Sequence, residues 1–173
     1  SGTPTNANVG THNVVLTVND GTVSVTHSFT ITIINTNDPP AFTSTETTVA
    51  EEDKVYNYTA IASDIDGNTL TFAATTLPSW LTFDGTATIS GTPTNANVGT
   101  HNVVLTVNDG TVSVTQSFTI TVANTPDAPV FTTMPITAAI EDSTYSYTVA
   151  ASDDDGNTLT YLATTLPTWL SFN

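Results

Sequence analysis

The strongest constraint on this chain is a tandem repeat with an offset of 89 residues, since residue 1 matches residue 90. Residues 1–36 (SGTPTNANVGTHNVVLTVNDGTVSVTHSFTITIINT) return almost letter for letter as residues 90–125. The rest of the period returns more loosely, with Trp80 matching Trp169. A near-identical tandem repeat predicts one structural unit copied along an array. It also argues against catalysis, because an enzyme usually needs one site on one scaffold.

The period divides the chain into three predicted segments. These are the C-terminal part of one repeat (1–37), a complete repeat (38–126) and the N-terminal part of another (127–173). Half of a β-sandwich cannot bury its core alone. Two explanations stay open: the chain is a window on a longer repetitive protein, or the tail of one chain completes the head of the next in a polymer or a swapped pair.

Alternation with period two predicts the secondary structure. Residues 102–107 (NVVLTV), 117–122 (SFTITV) and 55–60 (VYNYTA) each place apolar or aromatic side chains on one face and polar ones on the other. The sequence Asn108-Asp109-Gly110 fits a tight hairpin. About seven short strands in each period predict an all-β fold, an immunoglobulin-like antiparallel β-sandwich repeated in tandem. Trp80 lies among apolar residues, so we expect it in the core rather than on a sugar-binding surface.

The charge balance excludes some partners. One Lys, no Arg and sixteen acids give a net charge of -15, which excludes a nucleic acid backbone and disfavours an anionic membrane surface. No apolar run is long enough to cross a bilayer, so we expect no membrane insertion in this segment. The chain has no Cys, which for a secreted protein fits a bacterial surface. Bound cations would relieve the self-repulsion of so many carboxylates.

The acids are clustered in segments that an Ig-like sandwich places in its end loops. The clusters are Glu51-Glu52-Asp53, Asp64 and Asp66, Asp84, Asp109, and Asp127. The polar linker residues Asn35, Asn37 and Asp38 lie between the repeats. Ca2+ prefers about six to eight oxygen ligands, including carboxylates and Asn side chains. Each acid alone is explained as a turn former or a solvated charge, and we interpret Glu51 and Asp53 as solvated neighbours of Glu52. Together the clusters favour Ca2+.

Several motifs then occur in a characteristic order. Glu52 is followed by residues 63–68 (SDIDGN), residues 107–110 (VNDG) and a linker of the type NTNDP. With the phrases LPSWL and SGTP, the whole chain resembles bacterial dystroglycan-type cadherin-like repeats, also called putative Ig repeats. The resemblance implies Ig-like, cadherin-like sandwiches in large bacterial surface or secreted proteins, associated with Ca2+, adhesion and in some cases polysaccharide binding.

The resemblance also implies metal ligands at two junctions between repeats. At the first junction the ligands would be Asn35, Asn37, Asp38, Asp64, Asp66 and Asp109. At the second they would be Glu52, Asn124, Asp127, Asp153 and Asp155. Classical cadherins carry an Asp-x-Glu pair where this chain has Asn95-x-Asn97 and Asn6-x-Asn8. Because amides are neutral ligands, fewer ions or weaker binding are expected. Pro126 replaces the linker residue Asn37 at the second junction.

These observations predict a non-catalytic, Ca2+-stabilised Ig-like module that extends an extracellular bacterial adhesin, surface or filament protein. Expected partners are neighbouring repeats of the same or an identical chain, and a cell-surface polysaccharide or protein. Two alternatives stay open. One is a carbohydrate-binding module that uses Tyr56 and Tyr58, which share a strand face. The other is a filament subunit completed by part-repeats of other chains.

Overall fold

The computed structural model describes all 173 residues of the chain. Its helical content is two three-residue 3-10 turns, Asn6–Asn8 and Asn95–Asn97, and no helix is both long and apolar enough to cross a membrane. The strands are β1 (Gly10–Asn19), β2 (Ser24–Ile33), β3 (Ala41–Phe42), β4 (Val49–Glu51), β5 (Tyr56–Thr59), β6 (Ala62–Ser63), β7 (Thr71–Thr76), β8 (Thr82–Phe83), β9 (Thr88–Gly91), β10 (Gly99–Asn108), β11 (Ser113–Ala123), β12 (Val130–Phe131) and β13 (Ala151–Ser152).

The complete repeat folds as a sandwich of two main sheets. One sheet has the strand order β4-β11-β10-β7 and the other has the order β5-β9-β8, with a short β3-β6 ladder beside them. The pairs are antiparallel except for β4 and β11, which run parallel. The predicted all-β, Ig-like fold is therefore confirmed. The parallel pair was not predicted, because alternation along a strand says nothing about the direction of its neighbour.

The core of the complete repeat lies between the two sheets. Alternation on β10 turns Val103 and Leu105 inward, where they meet Tyr56, Tyr58 and Ile89 from the facing sheet. Both tyrosines are 4% exposed, so the face that the carbohydrate-binding alternative requires is occupied by core packing.

Trp80 packs against this core, as predicted. Its ring meets the ring of Tyr56 edge to face at 5.7 Å and that of His101 at 5.8 Å. Edge-to-face contact suits the charge distribution of aromatic rings. The Trp80 ring therefore packs against residues of both sheets and does not present a flat exposed face on which a sugar could stack.

The hairpin between β10 and β11 is wider than the sequence predicts. The last strand pair is Asn108 with Ser113, so the loop holds four residues rather than two. Gly110 takes a φ of 96° inside it, a conformation that costs glycine little. Asp109 organises the loop by accepting backbone N–H groups through its side chain. A wider loop places this acid at the end of the sandwich, facing the linker that precedes the repeat.

Near-identical hairpins have different surroundings in the two copies. Strands β1 and β2 pair in the same register as β10 and β11, with Leu16 opposite His27 as Leu105 is opposite Gln116. Leu105 is 2% exposed whereas Leu16 is 57% exposed. The difference arises because the facing sheet is present only in the complete repeat.

Candidate metal centres at the repeat junctions

The first junction is held by hydrogen bonds between the linker and the complete repeat. Asn37 Nδ2 donates to Asp109 Oδ2 at 2.9 Å, and the backbone N–H of Asp38 donates to Asp66 Oδ2 at 2.7 Å. Asp66 belongs to the loop after β6, and Asp109 begins the loop after β10. Two acids from separate loops thus converge on the linker, as the motif order implied.

Two carboxylate oxygens at this junction accept no hydrogen bond. Asp64 Oδ1 accepts the backbone N–H groups of Asp66 at 2.9 Å and Asn68 at 3.1 Å, which shapes the loop. Asp64 Oδ2 and Asp66 Oδ1 are buried from solvent and accept no hydrogen bond. A buried anionic oxygen without a partner is costly. A cation beside either oxygen would supply the missing partner.

Asp109 contributes a buried charge to the same junction. Its Oδ1 accepts the backbone N–H groups of Thr111 and Val112, each at 2.6 Å. The hydrogen bond from the Val112 backbone, followed by the one from the Asn37 side chain, holds the pKa of Asp109 below its usual value. The carboxylate is accordingly ionised at neutral pH, as a metal ligand has to be.

The second junction repeats the linker contact. The backbone N–H of Asp127 donates to Asp155 Oδ2 at 2.7 Å, in the position of the equivalent contact at the first junction. Asn124 Nδ2 donates to Asp155 Oδ1 at 2.7 Å. Asp153 Oδ1 accepts the N–H of Asn157 at 3.2 Å and so shapes its loop. Asn124 and the backbone of Asp127 therefore contact Asp155 of the repeat that follows.

The complete repeat adds its own acids to the second junction. Glu52 is 2% exposed, and its Oε2 accepts the N–H of Thr125 at 3.2 Å. Carboxylate oxygens of Glu52, Asp53 and Asp127 lie within 4.8 Å of one another. Burial, and then the charges of Asp155 and Asp53, raise the pKa of Asp127. These like charges repel one another, so a cation would lower the energy of the cluster.

The asparagine side chains at the positions of the cadherin Asp-x-Glu pair form hydrogen bonds. Asn97 Oδ1 accepts a backbone N–H at the start of its own 3-10 turn at 2.9 Å. Asn95 donates its side-chain N–H to the carbonyl oxygen of Asp154, across the second junction. Asn6 makes the same contact with the carbonyl oxygen of Ile65 across the first, at 2.9 Å. Asn6 and Asn95 thus join neighbouring repeats by hydrogen bonds that need no ion.

One predicted ligand, Asn35, lies apart from the other predicted ligands. Asn35 is exposed and makes no hydrogen bond, whereas its equivalent Asn124 contacts an acid of the following repeat. Asp53 is exposed, in agreement with its interpretation as a solvated neighbour of Glu52, and its carboxylate lies near those of Glu52 and Asp127. The metal-binding role of all these residues stays a prediction.

Asp84 is a turn former. Its Oδ1 accepts the backbone N–H groups of Thr86, Ala87 and Thr88 at 2.7 to 3.1 Å. The Thr86 hydroxyl donates to Oδ2 at 2.7 Å, and it is the largest of the contacts that hold the pKa of Asp84 well below its usual value. All of these partners belong to the β8–β9 turn, so Asp84 is explained locally.

Sandwich repeats joined by short linkers define a class of protein, the tandem Ig-like repeats. Within this class, the family model described as "Putative Ig domain" matches residues 39–123 and 128–173. The chain belongs to this family. The Ig part of the resemblance is thereby confirmed, and its dystroglycan-type assignment stays a prediction.

Comparison with individual proteins adds a similarity to an adhesin. The chain is 38% identical over 120 residues to the serine-rich adhesin for platelets of Staphylococcus aureus strain USA300, a match over 66% of this chain and 5% of the adhesin. It thus spans about 5% of the length of that relative. Among solved structures, human protocadherin-24 EC1-2 is 21% identical with a TM-score of 0.46, over 68% of this chain and 61% of the other. The endo-fucoidan hydrolase MfFcnA4 of glycoside hydrolase family 107 is 28% identical with a TM-score of 0.42. That match covers 72% of this chain and 20% of the hydrolase.

Proposed function

We propose that this chain is a non-catalytic Ig-like repeat module of a large extracellular bacterial adhesin or surface protein, in which Ca2+ stiffens the junctions between repeats. The family and the similarity to part of an adhesin support the module and its location outside the cell. Sixteen acids against one basic residue support the ion. The module acts as an extender that holds an adhesive region away from the cell surface.

One observation carries the choice of a cation. Asp64 Oδ2 and Asp66 Oδ1 are buried and accept no hydrogen bond, and the nearby Asp109 is buried and has a lowered pKa. A hard cation with oxygen ligands satisfies such oxygens, and Ca2+ tolerates the irregular geometry of loops better than Mg2+ does. A solvated turn acid would keep its oxygens in water.

The proposed mechanism is a cross-link between repeats. Asn37 and Asp38 belong to the linker, whereas Asp64, Asp66 and Asp109 belong to the sandwich that follows. An ion that binds both sets fixes the angle of the linker to the sandwich. Without it, the carboxylates repel one another and the angle varies.

The test compares Asp109→Asn with Asp20→Asn. Each Asp caps its hairpin through Oδ1, which Asn retains, but only Asp109 contacts a linker. In millimolar Ca2+ the parent should melt at a higher temperature than in chelator, and small-angle scattering should report a stiffer particle. Ca2+ at 100 times its Kd would add about 2.7 kcal/mol. We expect Asp109→Asn to lose at least half of both responses and Asp20→Asn to keep them.

Mg2+ serves as the ion control. A rise in melting temperature that Mg2+ reproduces, or no rise at all, would contradict the Ca2+ function and leave the acids as turn formers. Equal responses of the two variants would mean that the first junction holds no ion.

A further inference from the structure

We propose that β4 and β11 form a mechanical clamp, locked by Glu52 at its linker end, through which the complete repeat resists tension along the array. This role rests on the extender part of the proposed function and is independent of Ca2+, because the contacts that form the clamp are hydrogen bonds. An extender under tension transmits force from one linker to the next. In the complete repeat that force enters before β3 and leaves after β11.

The parallel direction of the two strands decides how the clamp is loaded. The pair runs parallel, with Val49 opposite Thr121 and Glu51 opposite Ala123. Tension from the preceding linker reaches β4 at its N-terminal end, and tension toward the next linker leaves β11 at its C-terminal end. In a parallel pair these are opposite ends, so the force slides one strand along the other. The evenly spaced hydrogen bonds between the strands are then loaded together.

The clamp is the attachment on which the N-terminal side of the repeat depends. In the strand order β4-β11-β10-β7, β4 lies at the edge and pairs with β11 alone. β11 is anchored much more widely, because it pairs with β10 along the whole length of that strand. β3 pairs with β6 over two residues, so we expect it to detach first. The clamp therefore sets the force at which the repeat unfolds.

Hydrogen bonds extend the clamp beyond both ends of β4. The backbone N–H of Thr121 donates to the carbonyl oxygen of Thr48 at 2.9 Å, and that of Glu52 donates to the carbonyl oxygen of Ala123 at 3.0 Å. Glu52 Oε2 accepts the N–H of Thr125 at 3.2 Å. The Thr125 hydroxyl donates to the carbonyl oxygen of Glu52 at 3.5 Å. Glu52 thus holds the end of β11 at the point where the force leaves the sandwich.

Burial strengthens the contact that Glu52 makes. The residue is 2% exposed, and a hydrogen bond in such a site is stronger than one in water. The one cationic side chain of the chain, Lys54, pairs instead with Glu51. A buried carboxylate that has no cationic partner is kept at a cost. A lock between the sandwich and its linker gives this acid a role.

A change of pulling direction tests the clamp without altering its hydrogen bonds. The chain has no Cys, so DNA handles attach only at introduced cysteines, which are placed at exposed positions. Thr36→Cys with Ala128→Cys pulls along the array and shears the clamp. Lys54→Cys with Ala128→Cys pulls apart the C-terminal ends of both strands and opens the clamp one bond at a time.

Optical tweezers in chelator measure the two unfolding forces. We expect the sheared chain to unfold at a force at least about twofold higher than the peeled chain, since unfolding under force is governed by the barrier that the pulling direction meets. The released lengths of about 30 nm and about 25 nm of extended chain identify unfolding of the complete repeat. Equal forces in the two directions would overturn the clamp.

Substitutions of Glu52 test the lock with handles at residues 36 and 128. At constant force in chelator, Glu52→Ala should unfold about tenfold faster because the buried Thr125 N–H loses its acceptor. Glu52→Gln keeps an acceptor oxygen and should stay within about threefold of the parent. Leu105→Ala is the control for general stability, because it weakens the core and leaves the clamp intact. Acceleration by Glu52→Gln or by Leu105→Ala as large as that by Glu52→Ala would contradict the lock.

The absence of ion in both experiments separates the clamp from the proposed Ca2+ function. A chain that melts higher in Ca2+ but unfolds at one force in both pulling directions would refute the clamp and leave the Ca2+ function standing. A chain that shows no Ca2+ response but resists shear more than peeling would support the clamp alone.

Discussion

Gly91→Ala should unfold the complete repeat, with a loss of about 3 kcal/mol or more in the free energy of unfolding. A Cβ at this position would lie 1.9 Å from the carbonyl oxygen of Trp80 and 3.0 Å from its carbonyl carbon. The obstacle is backbone rather than the end of a flexible side chain, so β9 would have to move. Moving it breaks the pairing of Gly91 with Tyr56 in a sheet that forms half of the core.

Urea denaturation followed by Trp fluorescence measures this effect. A Trp169→Phe background leaves Trp80 as the one reporter, and Trp80 packs against the core of the complete repeat. Gly2→Ala is the matched control, because Gly2 is the copy of Gly91 and a Cβ there meets nothing within 4 Å. We expect the control to stay within about 0.5 kcal/mol of the parent. Equal destabilisation by both variants would show that chain stiffness, rather than the close approach, is the cause.

Leu105→Ala should cost about 3 kcal/mol of unfolding free energy. The side chain is almost fully buried among the residues of both sheets. Truncation removes apolar contacts and leaves a cavity that the surrounding strands can close only in part. The same denaturation experiment measures the loss, and the slope of free energy against urea concentration should not change because the native fold is kept.

Leu16→Ala is the control for this second substitution. Leu16 occupies the same strand position in the copied hairpin but is mostly exposed, so its truncation should change the free energy of unfolding by less than about 0.5 kcal/mol at low protein concentration. A large effect of Leu16→Ala that grows with concentration would indicate that another copy covers the face. Equal effects that do not depend on concentration would contradict the burial difference between the two hairpins.

Much of the candidate site follows from local sequence. The motif order places Asp66 and Asp109 against the linker residues Asn37 and Asp38, and the structure brings these four together. This succeeds because each acid sits in a short loop whose position in an Ig-like sandwich is set by the strands on either side. Asp53 could not be placed in the same way. Its neighbour in the cluster, Asp127, is 74 residues away along the chain, and only the fold brings the two together.

The sequence by itself determined the repeat, the strands and the family. The 89-residue period is visible by comparing the sequence with itself. The two-residue alternation and the turn acids are local patterns, and each indicates a backbone conformation that does not depend on distant residues. Tertiary structure alone decided the parallel pairing of β4 with β11, the crowding of Asp127 with Glu52 and Asp53, and the burial of Leu105 but not Leu16. The physical reason is that burial and charge repulsion depend on which surfaces meet, and near-identical hairpins in one chain meet different surfaces.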